Sequence, residues 1–156
     1  MCCITDRGYL SMAFVYGFSF NDNVQVTIKY IVYSDGRVKI NSQYNGVPNL
    51  PQLPIFGLTF KVSADYNQLD WYECGPDENY SDRNKGARLG KFKNNVLDNL
   101  SNYLMPQESG NRTGGRRVSL TNFEGQGIRI SSTKEPLECN FTPYTALELE
   151  NVKSSF

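Results

Sequence analysis

The chain has 156 residues, and its 16 Lys and Arg balance its 16 Asp and Glu. That length suits one domain with a sizeable core, and zero net charge gives no electrostatic footprint for nucleic acid. Histidine is absent, which excludes imidazole chemistry: Ser-His-Asp triads, Cys-His pairs and His-ligated zinc.

Ten Tyr, nine Phe and one Trp, punctuated by Gly, Pro and Asn, point to aromatic-rich strands and an all-β fold. No apolar run approaches the ~20 residues that span a bilayer. MCCITDRG has no charged segment leading into a long apolar stretch, so no signal peptide and no membrane are expected. Cys2, Cys3, Cys74 and Cys139 form no CxxC pair, so no metal site is expected, and four free thiols in a reducing cytoplasm are the expectation.

Phe14, Tyr16, Phe18 and Phe20 alternate with smaller residues, predicting a strand over 14–20 with an aromatic face. Asn21-Asp22-Asn23 predicts a turn. Val24, Val26, Ile28, Tyr30 and Val32 share one face of a second strand, 24–33. Ser34-Asp35-Gly36-Arg37 signals a hairpin, since Gly36 can take positive φ, and the return strand runs over 37–44. Residues 14–44 thus predict a three-stranded antiparallel meander. Leu50-Pro51-Gln52-Leu53-Pro54 is extended by its prolines and is read as a stiff connector.

Further strands are predicted over 55–62 and 69–74, and a long ordered loop over 75–95. Val96, Leu97, Leu100, Tyr103 and Leu104 have helical spacing, good for one or two turns before Pro106. Short strands at 117–120 and 127–131 flank a turn at Glu124-Gly125. Thr145 and Glu148 match a capping box, predicting a short terminal helix carrying Leu147, Glu150 and Val152. Four Asn-x-Ser/Thr triplets occur, at Asn79, Asn99, Asn111 and Asn140. Without a signal peptide they carry no expectation of glycosylation.

Two polar segments are the candidates for chemistry. Gly75–Arg83 brings Asp77, Glu78 and Asp82 together but does not fit a calcium loop, which needs regular oxygen ligands and a central glycine. A carboxylate beside Arg83 is read as an ion pair that shapes the loop. Met105–Thr113 bunches Gln107, Glu108, Asn111 and Arg112, groups that hydrogen-bond either sugar hydroxyls or a turn. Glu78, Arg83, Glu108 and Arg112 are therefore the carbohydrate-facing candidates, with no catalytic residue and no cofactor assigned. Trp71, within an apparent strand, is read as core. The run Arg112, Arg116 and Arg117 is read as a solvated basic face.

In order, LPQLPIFGLTF (50–60), LDWYECGPDENYSDRNKGARLGKF (69–92), YLMPQESGNRTGGRRV (103–118) and YTALELE (144–150) resemble the C-terminal domain, or small chain, of bacterial β-galactosidases of glycoside hydrolase family 2. The resemblance implies an antiparallel β-supersandwich like that of galactose mutarotase, here incomplete, across a single domain spanning 1–156. It also implies that the catalytic glutamates lie in a separate (β/α)₈ barrel. The family's WRAPTDND-like opening segment and its late tryptophan-bearing loop have no match here, so the chain reads as the central part of that domain. The expected function is non-catalytic: support of, or assembly with, a catalytic β-galactosidase chain or the remainder of the same enzyme. The alternative is an independent carbohydrate-binding β-sandwich taking a β-galactoside. Self-association through uncovered strands is expected for the chain in isolation.

Overall fold

The alternation of apolar and polar residues is most sustained before residue 45, and there the computed structural model places a single antiparallel meander. Its strands β1 (Cys2–Asp6), β2 (Tyr9–Phe18), β3 (Asn21–Tyr33) and β4 (Val38–Asn45) lie side by side in chain order. The structure describes residues 2–6, 8–105 and 107–151. The register sets Leu10, Val32 and Val38 in one row, Met12, Tyr30 and Ile40 in the next, then Phe14, Ile28 and Ser42, then Tyr16, Val26 and Tyr44. Paired residues share a face, so across these four rows of β2, β3 and β4 one side is apolar in all but Ser42. At the β3–β4 hairpin Gly36 takes φ 86°, and the Asp35 carboxylate accepts hydrogen bonds from the Arg37 N–H (3.0 Å) and Nε (2.7 Å). The β2–β3 turn comes earlier than expected, at residues 19–20, because a register shift after Gly17 pairs Phe18 directly with Asn21.

The chain divides into two compact units, Met1–Leu58 and Thr59–Phe156. In the second, β5 (Gln68–Gly75) sits between β6 (Arg88–Asn95) and β8 (Arg117–Thr121), and β9 (Gly127–Ser131) pairs with β8 at the edge. A ribbon of β7 (Arg112–Gly115) and β10 (Leu137–Cys139) accompanies this sheet. Every second residue of β5 is buried, and Leu69 and Trp71 meet Leu120 and Val118 across the β5–β8 register to form the core. Phe92, Val96 and Phe141 pack against it.

The all-β expectation holds. A 3₁₀ turn at Val96–Asn99 and the helix α1 (Ala146–Glu150) are the only helical elements among the described residues. The capping box forms as expected: Thr145 Oγ1 accepts from the Glu148 N–H (3.2 Å), and Glu148 Oε2 accepts from the Thr145 N–H (2.7 Å). Val152, expected on that helix, lies outside the described residues. Cys74 and Cys139 are free thiols. Among the described residues no helix is long and apolar enough to cross a membrane.

Two expectations are corrected. Residues 55–62 form no strand, and Ile55, Phe56, Leu58, Phe60 and Val62 are exposed; alternation supplies a face, but no described strand supplies a partner. The stretch 75–95 is not all loop, since its end is β6. There Gly90, Lys91 and Lys93 hide a strand whose inward face is carried chiefly by Phe92, opposite Trp71.

Candidate functional site

β5 ends at Gly75 and releases the loop that precedes β6. A long polar loop holds its shape only if its amides find partners. Asn79, 1% exposed, supplies them. Its side-chain N–H groups donate to the carbonyls of Cys74 (3.1 Å) and Asp77 (3.1 Å), and its Oδ1 accepts from the Thr113 N–H (3.0 Å) and Oγ1 (2.6 Å). That satisfies all four sites of an amide side chain. Asn111 returns the contact, its Nδ2 donating to the Asn79 carbonyl (2.9 Å) and to Glu138 Oε1 (2.6 Å). Asn99 ties the 3₁₀ turn to the same cluster by donating to the carbonyls of Gly110 (3.2 Å) and Phe141 (2.9 Å). Gly110 takes φ 82°, and a Cβ there would lie 2.6 Å from the Asn99 carbonyl oxygen, so only glycine fits.

On this scaffold Glu78 accepts hydrogen bonds from the Tyr103 hydroxyl, the Gly110 N–H (2.8 Å) and Arg83 Nη2 (3.1 Å). Burial alone would raise its pKa. The bonds from Tyr103 and Gly110, with the charge of Arg83, hold it below the usual carboxylate range instead. Arg83 also donates to the Tyr103 hydroxyl (2.6 Å) and lies over the Tyr80 ring (4.4 Å).

Arg112, 6% exposed, donates through Nη1 to the carbonyls of Gly110 (2.9 Å) and Asn111 (3.1 Å) and through Nη2 to Asn99 Oδ1 (2.9 Å). Its guanidinium lies 5.2 Å from the Trp71 ring centre, and the Phe92 ring is 5.7 Å from the same indole. Beside them is a cleft of about 470 Å³ whose walls include Trp71, Asp77, Glu78, Lys93, Asp98 and Arg112.

The structure thus joins Glu78 to Arg83, as expected, and brings Glu78 and Arg112 to one cleft that Arg83 and Glu108 do not line. Glu108 is exposed and its carboxylate accepts from Asn140 Nδ2 (3.1 Å). Trp71 is core, as expected, at 3% exposure. The solvated basic face is corrected: Arg116 is exposed, but Arg112 is buried by its carbonyl partners and Trp71, and Arg117 pairs with Asp70 (3.2 Å). The buried amides Asn79, Asn99 and Asn111 were not among the expected site residues. These amides head three of the four Asn-x-Ser/Thr triplets; the fourth, Asn140, bonds exposed Glu108 instead.

A retaining glycosidase needs two carboxyl groups about 5–5.5 Å apart, one of them held protonated as an acid. Here Glu78 is wrapped in donors that favour its ionised form. Glu73, pushed up to about 7 by burial, is 1% exposed and out of reach of a substrate. No group of three or more His, Cys, Asp or Glu among the described residues is placed to hold a metal ion. The arrangement organises loops.

Comparison with known families agrees with this geometry. The family model described as "Beta galactosidase small chain" matches residues 5–156. A β-galactosidase of Halalkalibacterium halodurans is 51% identical over 152 residues, covering 96% of this chain and 15% of that protein. One from Priestia megaterium is 38% identical over 123 residues (79% and 12%), and the β-galactosidase BgaC of Bifidobacterium adolescentis is 31% identical over 155 residues (96% and 15%). The chain therefore spans about 15% of the length of such relatives.

Proposed function

Since this chain belongs to the family of β-galactosidase small chains, we propose that it is a non-catalytic domain of a glycoside hydrolase family 2 enzyme that cleaves lactose or other β-galactosides. The two units are read together as one domain, 1–156, that supports a catalytic barrel carried elsewhere in the same enzyme or in a partner chain. The observation that carries this reading is the match of residues 5–156 to the small-chain family model, together with relatives about six times longer than this chain. The polar network supports it, because Glu78 and Arg112 spend their hydrogen bonds on the protein itself. Free thiols at Cys74 and Cys139 favour a reducing, cytoplasmic setting.

The test is a hydrolysis assay on a chromogenic β-galactoside, with the chain alone and with a barrel-bearing chain that lacks this domain. No turnover alone, and activity restored on mixing, is the expected result. Turnover by the purified chain that Glu78→Gln abolishes would overturn the reading. A second reading, independent carbohydrate binding, is favoured by the cleft, where Asp77 and Asp98 are exposed. Titration with galactose or lactose, followed through the fluorescence of Trp71 on the cleft wall, separates the two.

A further inference from the structure

Glu73 lies toward the C-terminal end of β5 on the core face, in line with Leu69 and Trp71, and is 1% exposed. Nothing described above uses it. Its Oε1 has no hydrogen-bond partner. A Cβ on Gly115 of β7 would stand 2.5 Å from that oxygen and 2.9 Å from the Leu137 carbonyl oxygen of β10, so the ribbon backbone closes directly over the carboxyl.

The groups facing Glu73 from each neighbouring element are few. β6 presents Gly90 and Phe92, and β8 presents Val118, all uncharged. The ribbon presents the Cys139 thiol from β10, which donates a hydrogen bond to the carboxyl, and the Arg112 guanidinium from β7; both favour the ionised form, but by less than burial disfavours it. Glu138 stands beside Cys139, and the thiol is itself pushed up to about 12 by burial, so it does not compete as an anion. Arg112 is the cation whose charge acts on the carboxyl; its Nη atoms are committed to Gly110, Asn111 and Asn99, while its buried Nε has no partner.

We propose that the Glu73 carboxyl is a proton-operated latch holding the β7–β10 ribbon on the main sheet of its unit: neutral, it stays buried and the ribbon is docked; ionised, it reaches for water and the ribbon is released. Release would also draw Arg112, the first residue of β7, away from Trp71 and open the cleft wall.

The sign follows from linkage. Burial lifts Glu73 from 4.5 to about 7 in the docked state, so docking is fully favourable below pH 4.5 and weakens as pH rises to about 7. Amide hydrogen exchange on the full chain, corrected for intrinsic rates, tests this between pH 4.5 and 8.5. Opening at Thr113, Glu138 and Cys139 is expected to rise by up to about tenfold per pH unit and level off above 7, while β8 and β9 amides stay flat. Glu73→Gln should remove the slope. A flat wild-type profile in the ribbon, or the same slope in Glu73→Gln, would overturn the proposal. Carbon-13 NMR of the Glu73 carboxyl adds a check that needs no variant: a midpoint near 4.5 would overturn the latch, and one near 7 that coincides with the levelling of ribbon exchange supports it.

Discussion

Asn79 makes the loop after β5 possible by doing with one side chain what a strand partner does for a backbone. Replacing it with Ala strips partners from the Cys74 and Asp77 carbonyls and from the Thr113 N–H and hydroxyl; Asn79 itself is buried and these bonds are partly so. Orphaned buried groups cost about 1–3 kcal/mol each, and relaxation recovers part of that. Asn79→Ala should therefore lose about 3 kcal/mol in urea unfolding, while an exposed asparagine such as Asn102 should tolerate Ala within about 0.5 kcal/mol. Glu78 adds a pH signature. Its folded pKa is depressed, so its contribution is present above the unfolded value near 4.5 and is lost as pH falls through the folded one. The stability gap between wild type and Glu78→Gln should be widest near neutrality and narrow on acidification below about pH 4.5; a gap that grows in acid would contradict the geometry. The pairing of Glu78 with Arg83 was legible in the sequence because the two share a loop. The burial of Arg112 was not, because a basic triplet reads as solvated until the fold sets Trp71 beside it.

At the scale of elements, what could be read was whatever one strand announces by itself. β3, β4 and the second half of β2 alternate over long runs and were legible, as were the hairpin at Gly36 and the cap at Thr145; β1 and residues 9–13 of β2 were not, so the expected three-stranded meander is four-stranded. β6, β7 and β10 were not, because their identity lies in their neighbours: β7 is Arg-Thr-Gly-Gly and becomes a strand through pairing with β10. The converse holds at 55–62, where a good alternating pattern has no partner among the described strands. Period 2 is necessary for a half-buried strand, but the ladder of hydrogen bonds is what fixes it. Phe60, 55% exposed, tests this. Phe60→Ser should change the stability of the chain by less than about 0.5 kcal/mol and raise its solubility. A loss above about 2 kcal/mol, the scale of burying a large side chain, would mean the segment is packed in solution.

For the whole molecule, the decisive contrast is between the cores of the two units. The second buries Leu69, Trp71, Val118 and Leu120, whereas Val24 is the sole buried hydrophobic residue described in the first. Yet the first unit carries the more extensive apolar face, its rows running from Leu10, Val32 and Val38 to Tyr16, Val26 and Tyr44. Tyr16 is 50% exposed, Val38 52% and Phe20, in the β2–β3 turn, 67%. Contiguous apolar surface of this kind favours association, at about 25 cal/mol per Å² removed from water. In the proposed enzyme the remainder of the protein would cover that face; for the chain by itself, another copy is the available cover. Two-fold pairing is the simplest closed arrangement, since each copy offers the same surface. Sedimentation should therefore show a concentration-dependent dimer, and Tyr16→Ser combined with Val38→Ser should shift it toward monomer without weakening the second unit. The pair of substitutions lies on β2 and β4, at the opposite ends of the apolar rows, so it disrupts the face while leaving the β3 hydrogen-bond ladder intact. A chain that stays monomeric at millimolar concentration, with wild-type Tyr16 and Val38 protected from solvent in that monomer, would show that it covers the face with its own residues.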